Sequence, residues 1–166
     1  MRYRLLFIIL LGLDFPVVAQ EFLKDRKAVE AQIDAFIRSW NRHDFSDMKN
    51  YVADDCDFVN VVGMHWKGRE EIQYAHQAYH EKFFKNTPME KLRVTVRFLK
   101  PDVAIVHLLW HIGAFTPPDG SVRGDNDDLA TIVLVKRNGR WMITAVENVE
   151  VSADAEPFDP IKMQRQ

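Results

Sequence analysis

The chain is poor in the residues that most often betray a function. It has a single cysteine, Cys56, in 166 residues, so no disulfide can close within it and its stability has to come from packing. Glycine is scarce, at seven residues, and none of it forms the clustered fingerprint that seats a dinucleotide at a helix start. Positive charge is not in excess either: 22 Lys and Arg stand against 24 Asp and Glu, for a formal net charge of -2. That balance disfavours attraction to polyphosphate and excludes nucleic acid as the expected partner. No apolar run reaches the ~20 residues of a membrane-spanning helix, and there is no internal repeat or linker. What remains is 47% hydrophobic and 28% charged, the balance of one globular domain with a packed core.

The first residues read as an address. Arg2 and Arg4 supply a positive start, Leu5 to Leu13 a short apolar run, and Val17-Val18-Ala19 small residues for a signal peptidase. The expectation is a signal peptide over 1–19, a folded domain over 20–151 and a loosely ordered tail over 152–166. The protein is then exported, periplasmic or secreted, with no stable membrane anchor after cleavage.

Val29, Ile33, Phe36, Ile37 and Trp40 recur at helical spacing and predict an amphipathic helix over about 24–42. Asp44 can cap a short second helix carrying Phe45, Met48 and Tyr51, which Ala53-Asp54-Asp55 ends. Residues 57–62 form a β-branched run closed by Gly63, and Gly68 permits a turn into a third helix near 69–85 with an inner stripe of Ile72, Ala75, His76, Tyr79 and Phe83. From Lys91 the period changes to alternation, giving a strand to Phe98, a long strand from Val103 to about Phe115, and a hairpin of 128–137 with 140–151 around Asn138-Gly139. Helices first and long strands afterwards define an α+β fold, with three N-terminal helices packed in a strongly curved antiparallel sheet.

Several stretches, in this order, resemble the nuclear transport factor 2-like superfamily, and within it the SnoaL-like proteins of the SgcJ/EcaC branch. They are Trp40-Asn41-Arg42-His43-Asp44, Ala53 to Asn60, Gly63 with Trp66-Lys67-Gly68-Arg69, Pro101 to His107, Asn138-Gly139-Arg140-Trp141, and Glu147-Asn148. The resemblance implies a cone-shaped fold whose sheet closes over the first helix around a pocket, often in a homodimer packed through the outer sheet face. The superfamily holds isomerases, dehydratases and modules that only bind, so membership does not choose a reaction.

The candidate site residues follow from chemistry and position. His107, in an apolar strand, is the acid/base candidate, because imidazole titrates near neutrality. Asn60 is a polar residue in an apolar run and needs a partner, either a ligand or a neighbouring backbone group. Counting from the hairpin turn pairs Leu129 with Asn148 and Thr131 with Val146, so Asn148 and Thr131 share a face unless a bulge intervenes. Trp40 and Trp110 are core residues that could stack on a planar ligand at the cone's mouth. His76 is expected to orient polar groups there. His76 and His80 lie one helical turn apart, yet Gln77 stands where a zinc protease needs its glutamate, and a plain metal site would need a third ligand such as His107 or Asp128. No metal and no cofactor is expected. Asp54, Asp55 and Asp57 around Cys56 would raise its thiol pKa, against a nucleophilic role. Together these predict a pocket protein that binds or acts on a small, largely apolar molecule, with acid/base chemistry as the reaction class if it is converted. The alternative is a non-catalytic binding or homodimerisation module whose cone is filled by its own side chains.

Overall fold

The structure, a computed structural model, describes residues 14–165, with side-chain environments from Gln20 onward. Most of the expected signal peptide, residues 1–13, lies outside the described residues, and 14–19 form the first turns of the opening helix.

That helix, α1 (Asp14–Arg42), begins before the stripe that predicts it. Its inner face buries Val29, Ile33 and Trp40, with Phe36 and Ile37 packed beside them. It ends in a left-handed turn: His43 adopts φ 56°, its N–H donates to the Trp40 carbonyl and the Asp44 N–H donates to that of Ser39. The last carbonyls of the helix are thereby satisfied. Asp44 then accepts from the Ser46 N–H at 2.9 Å, and the short second helix expected here is a single 3-10 turn, Met48–Asn50.

The strand β1 (Val52–Val59) starts earlier than the β-branched run and takes in Ala53-Asp54-Asp55, whose acids suggest a helix end. Val52, Ala53, Cys56 and Phe58 are buried while Asp54, Asp55 and Asp57 are exposed, so the acids sit where water covers them. A tight turn leads into β2 (His65–Lys67), antiparallel to β1. At Gly68, φ 77°, the chain enters α2 (Gly68–Lys82), and the Glu71 carboxylate reaches back to accept from the Lys67 N–H at 2.7 Å. The buried residues of α2 are Ile72, His76 and His80, one stripe at four-residue spacing.

Four long strands complete the fold: β3 (Met89–Lys100), β4 (Val103–Ile112), β5 (Asn126–Arg137) and β6 (Arg140–Glu150). Asn138 and Gly139, both at positive φ, make the tight β5–β6 hairpin that their sequence announces. The sheet order is β2-β1-β6-β5-β4-β3. Its pairs are antiparallel except for β1 with β6, which is parallel, so the expected antiparallel sheet carries one parallel seam. The sheet is curved and unclosed, and the architecture is the expected α+β cone.

Its concave face buries Ala104, Val106, Leu108, Trp110 and Ile112 of β4 and Ala130, Ile132 and Leu134 of β5. α1 covers part of this face and is latched to the β5–β6 hairpin, where the Asp25 carboxylate accepts from Lys136 Nζ at 2.8 Å and from Trp141 Nε1 at 3.0 Å. Beyond β6, where the sequence suggests a loose tail, the chain forms a 3-10 turn, Glu156–Phe158, and the one-turn α3 (Pro160–Met163), neither with a buried residue. Among the described residues no helix is long and apolar enough to cross a membrane.

Candidate functional site

Between α1, α2 and the concave sheet face lies a cavity of about 430 Å³, within the range of small-molecule sites. The cone is therefore not filled by its own side chains. Most of the lining is apolar or aromatic, including Phe36, Phe58, Trp66 and Phe84. The loop between β4 and β5 closes one side, and there Gly124, at φ 77°, passes so near the chain that a Cβ would meet the Gly113 carbonyl oxygen at 2.4 Å.

Of the residues predicted for the site, Trp40, Asn60, His76, Trp110 and Asn148 line this cavity, whereas His107 and Thr131 do not. His107 is exposed on the convex face, paired laterally with Thr95 and Thr131. Alternation forbids one strand from sending both His107 and Trp110 inward, and the buried series Ala104, Val106, Leu108, Trp110 takes the concave side. Thr131 is exposed beside Glu147 on the same convex face. The hairpin count fails because the β5–β6 register shifts between Val133 and Leu134, leaving Thr144 as an extra residue. This bulge pairs Asn148 with Ala130 rather than Leu129 and turns it into the cavity.

Asn60 lies just past β1 rather than in a strand, and its amide oxygen is taken by its own turn, accepting from the N–H groups of Val62 at 3.1 Å and Met64 at 2.8 Å. Trp40 donates Nε1–H to the Thr87 carbonyl at 2.9 Å and presents its ring to the wall. His76 places Nδ1 2.8 Å from the Ile72 carbonyl oxygen. Burial pushes this imidazole down to about 4, so it is neutral with Nδ1 as the donor.

Three of the four buried polar atoms that lack a partner among the described residues belong to this cavity's lining: Trp110 Nε1, Asn148 Oδ1 and His80 Nε2. Each carries a desolvation cost that a bound polar group would offset. The sheet wall also holds Asp128, 5% exposed, which register places beside Trp110 on one side and Glu150 on the other. Burial, joined by the charges of Glu150 and Asp127, pushes its carboxyl up to about 6 against the hydrogen bond it accepts from Asn126 Nδ2 at 2.9 Å. Asp128 stands out from sequence only as part of an acidic loop or a stray metal ligand. Its signal is its phase: it lies two residues before Ala130 in the buried alternation of β5. Cys56 also reaches the cavity, but burial, then Asp57 and Asp55, hold its thiol up at about 12, so it is no nucleophile. Among the described residues no three His, Cys, Asp or Glu side chains are grouped to hold a metal.

The chain folds as a nuclear transport factor 2-like, cystatin-like cone. It belongs to the SnoaL-like domain family, whose model matches residues 29–147. Among solved structures, an uncharacterised protein with a cystatin-like fold from Caulobacter vibrioides is 31% identical at a TM-score of 0.80, covering 83% of this chain and 97% of its own. A domain of unknown function with the same fold from Nostoc punctiforme is 25% identical at a TM-score of 0.67, covering 86% and 91%. A putative scytalone dehydratase from Novosphingobium aromaticivorans is similar in fold, at 14% identity and a TM-score of 0.64, covering 81% and 89%. No curated protein matches.

Proposed function

We propose that this protein binds a small, largely apolar molecule in its cavity and acts on it by proton transfer, with Asp128 in place of His107 as the acid/base group. The observation that carries this reading is a carboxyl raised to about 6 at the wall of an aromatic-lined cavity, next to a tryptophan N–H without a partner. A carboxylate of raised pKa is a stronger base than an exposed one yet remains ionised at neutral pH. For a substrate with a carbonyl group, the Asp128 carboxylate takes the proton from the adjacent carbon, that C–H electron pair becomes the new C–C π bond, and the carbonyl oxygen accepts charge. Trp110 Nε1–H is the donor suited to hold that oxygen, while Asn148 Oδ1, an acceptor, suits a substrate hydroxyl. Returning the proton to another carbon completes an isomerisation; expelling a hydroxyl as water completes a dehydration. Structures of the same fold named a ketosteroid isomerase-like protein and a putative dehydratase are compatible with this class of chemistry.

The test is α-proton exchange of 2-tetralone in D₂O, followed by proton NMR. The wild type is expected to accelerate exchange over buffer, with a rate that rises through pH 6 as Asp128 ionises, and Asp128→Asn to lose ~10²-fold or more of that rate. An Asp128→Asn protein that exchanges at the wild-type rate removes Asp128 from the reaction, and binding without any acceleration leaves a carrier rather than an enzyme.

Two further features belong to this proposal. Residues 1–19 direct export, which the N-terminal sequence of the mature protein checks by starting at Gln20. The convex face, with half-buried Ile105, Leu109, Leu129 and Val133, is offered as the surface of a homodimer.

A further inference from the structure

The α2 wall of the cavity carries a polar atom that the proton-transfer chemistry of the sheet wall does not use. His80 is 2% exposed, and its Nε2 is buried without a partner in the cavity lining. Around the ring stand Trp40, edge-on with centroids 4.4 Å apart, and Phe45 at 4.9 Å. Its other nitrogen, Nδ1, lies 2.8 Å from Nδ1 of His43.

Two imidazoles that meet nitrogen to nitrogen share one hydrogen, with one ring donating and the other accepting. When His43 supplies that hydrogen, His80 Nε2 is a donor; when His80 supplies it, Nε2 is an acceptor. Burial, then the neighbouring His43 and His76, push His80 down to about 3, so the atom without a partner belongs to a neutral ring. A hydroxyl answers either state, because it both donates and accepts. The backbone points the same way. His43 holds φ 56° at the helix end, a conformation glycine adopts at lower cost, and a histidine there brings its ring against His80.

We infer that His80 Nε2 is a ligand-binding atom, that the occupant carries a hydroxyl on an apolar ring body, and that His43 is the positioning residue deciding which hydrogen His80 offers. This rests on the pocket reading above and names the chemical class of the molecule.

Equilibrium dialysis of the full chain against 2-naphthol and naphthalene tests it. The wild type is expected to prefer 2-naphthol by about 10-fold, the worth of one buried hydrogen bond. His80→Phe, which keeps a ring in the wall, should retain naphthalene binding and lose the preference. His43→Gly suits the left-handed turn and should also bind naphthalene. In long-range proton–nitrogen spectra of histidine-labelled protein, His80 should show one tautomer in the wild type and a mixture in His43→Gly, a change that a merely structural role for His43 would not produce. Should His80→Phe keep the full preference, or should His80 show the same tautomer in both proteins, the inference is overturned while the pocket reading stands. If neither probe binds the wild type, both fall together.

Discussion

Single side chains set opposing pH responses in the core. The Asp128 carboxyl is raised from 3.8 to about 6, so between those values the folded chain holds a proton that the unfolded chain has released. Stability therefore falls as pH rises through that window, by ~2–3 kcal/mol, and the loss persists at neutral pH. Asp128→Asn carries no charge to bury and is expected to raise the urea midpoint at pH 7, an advantage that disappears by pH ~4. His76 and His80 act with the other sign. Their folded values lie near 4 and 3 against 6.5 unfolded, so below pH 6.5 the unfolded chain takes up protons that the buried rings refuse. Stability is lost on acidification, and His80→Phe should flatten that limb in the same urea series. An unchanged slope would mean that His80 is solvated rather than buried.

Among the elements, β6 depends on a single extra residue. Thr144 sits at the register shift and donates its hydroxyl hydrogen to the Val133 carbonyl oxygen at 3.1 Å. Were Thr144 instead paired with Val133 in a regular ladder, residues 145–150 would slide by one position, sending Glu147 into the cavity and Asn148 out to water. Burying an unpaired carboxylate costs several kcal/mol, so the strand keeps the bulge. Deleting Thr144 leaves Ile143 opposite Leu134 and Ala145 opposite Val133 and is expected to fold with the same cavity lining, and Thr144→Val should stay within ~1.5 kcal/mol of the wild type in urea. A deletion that fails to fold while Thr144→Val is stable would show that the bulge does more than absorb the extra residue. The loop before β5 makes a similar demand at Gly124: positive φ and the Gly113 carbonyl 2.4 Å from any Cβ leave room for no other residue.

For the molecule as a whole, the question is what covers the convex face. Ile105 pairs with Val133 and Leu109 with Leu129, a half-buried apolar patch flanked by the exposed row Thr95, His107, Thr131 and Glu147. If this face joins two copies, the wild type sediments as a dimer and Val133→Arg as a monomer with unchanged circular dichroism. A monomeric wild type at micromolar concentration rejects the dimer outright. The concave face is independent of this outcome, because its lining residues come from within one chain.

The amino-acid sequence by itself determined the kinds of element and their order. The helical stripe from Val29 to Trp40, the alternation from Val103 onward and the Asn138-Gly139 turn are local patterns, and local backbone preference suffices to read them. Together with the motif order, they were enough to place the chain in its family. Only the tertiary structure decided which face of each strand met the core. The β4 strand is apolar on both sides, so alternation alone could not say that Trp110 went in and His107 out. The Thr144 bulge, the parallel seam of β1 with β6, the contact between His43 and His80 and the burial of Asp128 were equally beyond reach. Each depends on residues far apart in the chain being brought together, and the free energy that selects among such arrangements belongs to the packed whole rather than to any segment of it.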